Sequence, residues 1–95
     1  MKEFNFPLQT MNAQWKDLLP HYRRGILFFV RPHVQLLELG TAVAEDNKDY
    51  IMAYINDKSI FQIDPKELPS WEENHVFSFI IVQPYVFVEY VNEDH

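Results

Sequence analysis

The chain has 95 residues and a mass of 11.4 kDa, which allows one domain but not two of ordinary size. An apolar fraction of 47% with 23% charged residues excludes wholesale disorder, and two glycines exclude collagenous or linker-like composition. The absence of cysteine excludes a disulfide scaffold, a thiolate metal site and a cysteine nucleophile.

The net charge of −6 is unevenly distributed. Residues 1–33 carry five bases (Lys2, Lys16, Arg23, Arg24, Arg31) against two acids (Glu3, Asp17). Residues 34–95 carry three bases against twelve acids. So acidic a chain gains little from counterion release, so nucleic acid is not an expected partner. No apolar run spans a bilayer, and the longest, residues 76–91, is interrupted by Ser78, Gln83, Pro84 and Glu89. With no export signal and no thiols, the expected location is the cytoplasm.

The first eleven residues are expected to form an extended arm, residues 12–91 a single α+β domain, and residues 92–95 a polar tail. Asn12 is a plausible N-cap for a helix in which Trp15, Leu18, Leu19 and Tyr22 follow at i, i+3, i+4 and i+7. Pro20 inside that stripe predicts a kink or a restart, and Gly25 predicts the C-terminal stop. The run Ile26–Val30 is β-branched and aromatic and predicts a buried strand. Leu36–Ala44 is expected as a second strand, because bulky Leu37, Leu39 and Val43 alternate with smaller neighbours. In it Gly40 predicts a bulge or a close backbone approach.

Asp46 or Asn47 is expected to cap the next helix, whose stripe is Tyr50, Ile51, Tyr54 and Ile55. Ile60, Phe61 and Ile63 predict a brief extended piece. Asp64-Pro65-Lys66-Glu67 and Ser70-Trp71-Glu72-Glu73 each read as the start of a short helical turn. Val76–Gln83 and Val86–Val91 are apolar on both faces and predict two strands around Pro84-Tyr85, either a hairpin or one bent strand. The order α-β-β-α-(α)-β-β describes a mostly antiparallel four-stranded sheet with helices on one face.

Several short stretches occur in a recognisable order: Trp15-Lys16-Asp17-Leu18, Arg24-Gly25-Ile26, Val30-Arg31-Pro32, Leu37-Glu38-Leu39-Gly40, Ala42-Val43-Ala44-Glu45-Asp46 and Ile80-Ile81-Val82-Gln83-Pro84-Tyr85-Val86. Together they resemble a small bacterial family known only as domain of unknown function 2288, over nearly the whole chain. Pro20 and Pro69 depart from its pattern. The resemblance implies a free-standing small bacterial protein and assigns no activity.

No catalytic residue is singled out. There is no HExxH, no nucleophile elbow and no glycine-rich phosphate loop, and no cofactor is expected. His21, Arg23, Arg24, Arg31 and His33 are the candidates for holding an anion, and Glu45, Asp46 and Asp49 for holding a hard cation. Helix dipoles account for most of these charges equally well. Fifteen residues are aromatic. Phe77, Phe79, Tyr85, Phe87, Tyr90 and Val91 are therefore candidate interface residues if two helices leave one sheet face open. The leading expectation is a non-catalytic interaction module, paired with another copy (a dimer) or with a different protein. The alternatives are a ligand-binding or catalytic rim built from Arg31, His33, Glu45 and Asp46, and an acidic decoy of a basic protein surface.

Overall fold

The computed structural model describes residues 8–90. In chain order the elements are β1 (Met11–Gln14), α1 (Trp15–Arg23), β2 (Leu27–Val30), α2 (Leu36–Ala44), α3 (Lys48–Asn56), β3 (Ile60–Phe61), a single 3₁₀ turn (Pro65–Glu67), β4 (Val76–Val82) and β5 (Tyr85–Glu89). The five strands form one mixed sheet in the order β1-β4-β5-β2-β3. Only the β2–β5 pair is parallel, with Leu27 opposite Val86 and Phe29 opposite Val88.

Several expectations are corrected. Leu36–Ala44 is a helix, not a strand. Leu36, Leu39, Gly40 and Val43 recur at i, i+3, i+4 and i+7, and this helical stripe lies inside the apparent alternation. Thr41 confirms the conformation by donating its hydroxyl to the Leu37 carbonyl, 2.9 Å away. Gly40 does mark a close approach, since a Cβ there would sit 2.8 Å from Ile80 Cδ1.

The sheet has five strands rather than four, because residues 11–14 pair with β4. Asn12 is therefore a strand residue, accepting a hydrogen bond from the Ser78 hydroxyl, and α1 starts three residues later. The first amides of α1 are satisfied by the chain ahead of β4: Trp15 N–H donates to His75 O at 2.8 Å and Lys16 N–H to Glu73 O at 3.0 Å. Pro20 leaves α1 unbroken as an assigned helix, because in nine residues it deletes a single ladder bond.

Helices also cover both faces, not one. Alternation along the strands sends Leu27, Phe29, Phe77, Phe79, Val86 and Val88 to one side, where Trp15 and Leu18 of α1 meet them. Val30, Ile80 and Phe87 point the other way, onto Leu36 and Leu39 of α2. On the α1 side the chain between β3 and β4 adds a second cover of Ile63, Leu68 and Trp71. The Trp71 ring meets Trp15 and Phe77 edge-on, each with centroids 5.0 Å apart. The turn expected at Ser70–Glu73 does not become a helix; this stretch is irregular, closed by His75 N–H to Glu72 O.

Residues 76–89 form a hairpin, with Val82 opposite Tyr85 and Gln83-Pro84 as the two-residue connection. The turn lies one residue earlier than Pro84-Tyr85, and the Gln83–Pro84 peptide is cis.

All three helices stop in the same way. Gly25, Asp46 and Lys58 follow the last helical turns with positive φ of 79°, 59° and 68°. In each case the amide of the next residue reaches back to a carbonyl: Ile26 to His21, Asn47 to Ala42, Ser59 to Tyr54. Glycine adopts this left-handed geometry freely, whereas a side chain there costs about 1 kcal/mol. Lys58 therefore holds a strained position that Gly25 does not, while Asp46 is of a residue type that tolerates the left-handed region.

Candidate functional site

The expected anion and cation sites are not assembled. Arg23 and Arg24 are exposed at the end of α1, where His21 and Arg23 complement the helix dipole. Arg31 and His33 lie past the opposite end of β2, so the five residues form two separate groups. Arg31 is already engaged: its guanidinium carbon stands 4.7 Å from the Phe61 ring centre and its Nε donates to Lys58 O at 3.2 Å. Glu45 and Asp46 sit beyond the C-terminus of α2, and Arg31 and His33 precede its N-terminus. Nine helical residues, a rise of roughly 13 Å, separate the pairs. The four-residue rim therefore does not exist, because the second strand it required is a helix.

Glu45, Asp46 and Asp49 do not converge either, and among the described residues no group of three or more His, Asp or Glu could hold a metal ion. Asp46 instead faces Lys48 at 4.0 Å, both well exposed. Asp49 occupies the first turn of α3, and Asn47 caps that helix by accepting from Tyr50 N–H at 3.3 Å.

One serine–histidine pair does form. His33 Nε2 and Ser59 Oγ share a hydrogen bond of 2.9 Å, and Ser59 N–H donates to Asp57 Oδ1 at 2.9 Å. The carboxylate thus serves the serine and does not orient the histidine, the reverse of a nucleophilic triad. Ser59 is also only 3% exposed, so its hydroxyl cannot be reached by a substrate. The network ties the segment after β2 to the turn after α3, reinforced by Arg31 N–H to Ser59 O at 2.9 Å.

The Ser59 hydroxyl bond holds the Asp57 carboxyl below its ordinary value of 3.8, aided by the Ser59 amide and by His33 and opposed by desolvation. A carboxyl depressed by folding contributes stability above its unfolded value and loses it as pH falls through the folded value. NMR titration should therefore show Asp57 protonating below free aspartate, with its share of stability lost only on acidification below about pH 4. Ser59→Ala should return Asp57 toward the ordinary value; an unchanged titration would remove the assigned cause.

The candidate interface residues divide by burial. Phe77, Phe79 and Phe87 are 1%, 9% and 5% exposed, so they belong to the core of a single chain. Tyr90 is half-buried against Phe61, with centroids 5.4 Å apart, and Val91 lies outside the described residues. Two short helices were expected to leave oily surface on these strands. Helix α2, where a strand was expected, and the segment carrying Trp71 shield most of it.

Among the described residues, a groove of about 840 Å³ lies open on the α2–α3 side, at the hairpin end of the sheet. Phe28, Phe87 and Tyr85 form its floor, Val43 its α2 wall, and Ile51 and Ile55 its α3 wall. Tyr85 packs on Phe28 at 5.9 Å, which keeps the floor aromatic. Met11, Ile55 and Tyr85 are exposed along it. Gln9, Gln83 and Asp46 supply its polar groups. Tyr85 is among the expected interface residues, but the groove itself is not legible in the sequence. The α3 stripe was legible, yet nothing local showed that α3 would end with no fully buried residue.

The family model described as "Protein of unknown function (DUF2288)" matches residues 4–90. The chain belongs to this family. DUF2288 membership confirms the resemblance seen in the ordered motifs and assigns no activity. No curated protein matches the chain. Among solved structures it is similar to the NMR solution structure of PA1075 from Pseudomonas aeruginosa, with a TM-score of 0.70 and 19% identity over 92% of this chain and 82% of that one. That likeness shows a shared fold. Among the described residues no helix is long and apolar enough to cross a membrane.

Proposed function

We propose that this DUF2288 chain is a non-catalytic interaction module that receives apolar side chains of another protein in the groove between α3 and the sheet. The observation that carries this reading is the state of α3. Its apolar stripe Tyr50, Ile51, Tyr54 and Ile55 is left half-covered, and Ile51 and Ile55 line the groove. An amphipathic helix normally buries its stripe, so an incompletely covered one beside an aromatic floor is surface held ready for contact. The volume is of the size that binds small molecules, but the groove is open along one side, and its exposed Met11 and Tyr85 are residue types favoured at protein interfaces.

The test is a titration of ¹⁵N-labelled protein with an acetylated, amidated peptide of tryptophan and leucines flanked by glutamines. Amide shifts are expected at Phe28, Val43, Ile51, Ile55 and Tyr85, and Ile55→Asp, placed on an exposed position, should abolish them without unfolding the chain. No shifts, or shifts confined to other surfaces, would end the reading. Sedimentation provides the companion measurement: a dimer that Ile55→Asp dissociates would put a second copy in the groove instead of a different protein.

A further inference from the structure

We propose that the chain's own N-terminal arm occupies the groove until a partner displaces it, with Phe4 and Phe6 seated where the partner's apolar side chains would go. The proposal rests on the groove being the binding surface. Residues 1–7 of the expected arm lie outside the described residues, but the residues that follow them fix where the arm enters. Leu8 and Gln9 line the groove, and Leu8 packs, with Val82, against the core cluster on the α2 side. The arm is thus anchored at the edge of the surface that it would cover. The family match begins at Phe4, so both rings fall inside the matched region.

Register and sequence pattern aim the two rings at that surface. β1 runs antiparallel to β4 with Met11 opposite Phe79, and the same count sets Leu8 opposite Val82. Side chains alternate along an extended chain, so an extended arm gives Phe6 and Phe4 the face of Leu8, roughly 7 and 13 Å farther along. Pro7 fixes its own φ and keeps Phe6 out of the helical region, so the link between the rings and Leu8 is pre-set as extended. The exposed side chains of Met11, Ile55 and Tyr85 are apolar partners for two such rings. Attachment through one proline also holds Phe6 at an effective concentration on the order of millimolar, so a weak contact suffices. A second copy's arm lacks that advantage and brings a body of net charge −6 toward its like.

The experiment uses the full chain. NOEs should run from the Phe4 and Phe6 ring protons to the methyls of Val43, Ile51 and Ile55, and a mixture of isotope-labelled and unlabelled protein should show them within one copy. The double variant Phe4→Ser/Phe6→Ser should lose those NOEs and shift the Ile51 and Ile55 amides. It should also bind the tryptophan–leucine peptide about three- to tenfold more tightly, because the arm no longer competes for the groove. Absent NOEs with equal peptide affinity in parent and variant would overturn the arm and leave the groove reading standing. NOEs that cross between copies would overturn it in favour of a second copy's arm. Arm NOEs with no peptide bound by either protein would end the partner reading and, with it, the displacement.

Discussion

Trp71→Ala should destabilise the fold by about 3 kcal/mol or more, a large share of the 5–15 kcal/mol available to a small domain. The indole is the piece of the irregular segment before β4 that meets both α1 and the sheet. It stands edge-on to Trp15 and Phe77 and within 5.6 Å and 6.1 Å of the Phe29 and Tyr90 ring centres. Truncation uncovers those four rings, because the segment's other anchors, Ile63 and Leu68, are smaller and, like Trp71 itself, half-buried. Thermal melting should register the loss as a fall in Tm of well over roughly 10 °C. Trp71→Phe should recover part of it. A loss below about 1 kcal/mol would mean that residues 62–75 lie on the sheet without sealing it. The open aromatic face inferred from composition would then exist after all, on the α1 side.

That prediction turns on a feature that periodicity does not encode. The stripes of α1 and α3 and the two terminal strands are legible because each depends on residues within one or two turns of one another, whereas the sequence leaves open hairpin against one bent strand and Asp46 against Asn47 as the cap. β1 is illegible for the opposite reason: Met11-Asn12-Ala13-Gln14 has no strand pattern and is extended only because β4 pairs with it. α2 misleads because small and large residues alternate in a nine-residue stretch that is equally compatible with a helical stripe. The endings at Asp46 and Lys58 are hidden because only glycine advertises a left-handed residue. The groove requires Phe28, Val43, Ile55 and Tyr85 to meet from four elements, so only its members, never their meeting, were visible in the chain. Of the expected interface residues Tyr85 and Phe87, the first is exposed beside the groove and the second lies in the core.

Gly40→Val should be the most damaging single change on the other face of the sheet, costing about 3 kcal/mol. Gly40 lets α2 lie close to β4: an added Cβ meets Ile80 Cδ1 at 2.8 Å and Val82 Cγ2 at 3.5 Å. Valine adds two further methyls to a site already too tight, and overpacking of this kind costs about 1–3 kcal/mol before the lower helix propensity of a β-branched residue is counted. Gly40→Ala is different. Its single methyl opposes only the tip of a flexible side chain, and the roughly 1 kcal/mol gained by removing glycine from a helix interior offsets the shift of Ile80, so it should be near neutral. The contact itself is tested by coupling. Ile80→Val alone should cost about 0.5–1.5 kcal/mol, yet in the Gly40→Ala background it should cost less, because the removed methyl is the one in conflict. Strict additivity would place α2 farther from β4 than 2.8 Å implies. The consequence reaches the binding surface, since Val43, one turn along α2 from Gly40, forms a wall of the groove. A helix lifted off β4 by Gly40→Val should therefore weaken peptide binding even in molecules that remain folded, with Ile80→Ala as the partial rescue of both.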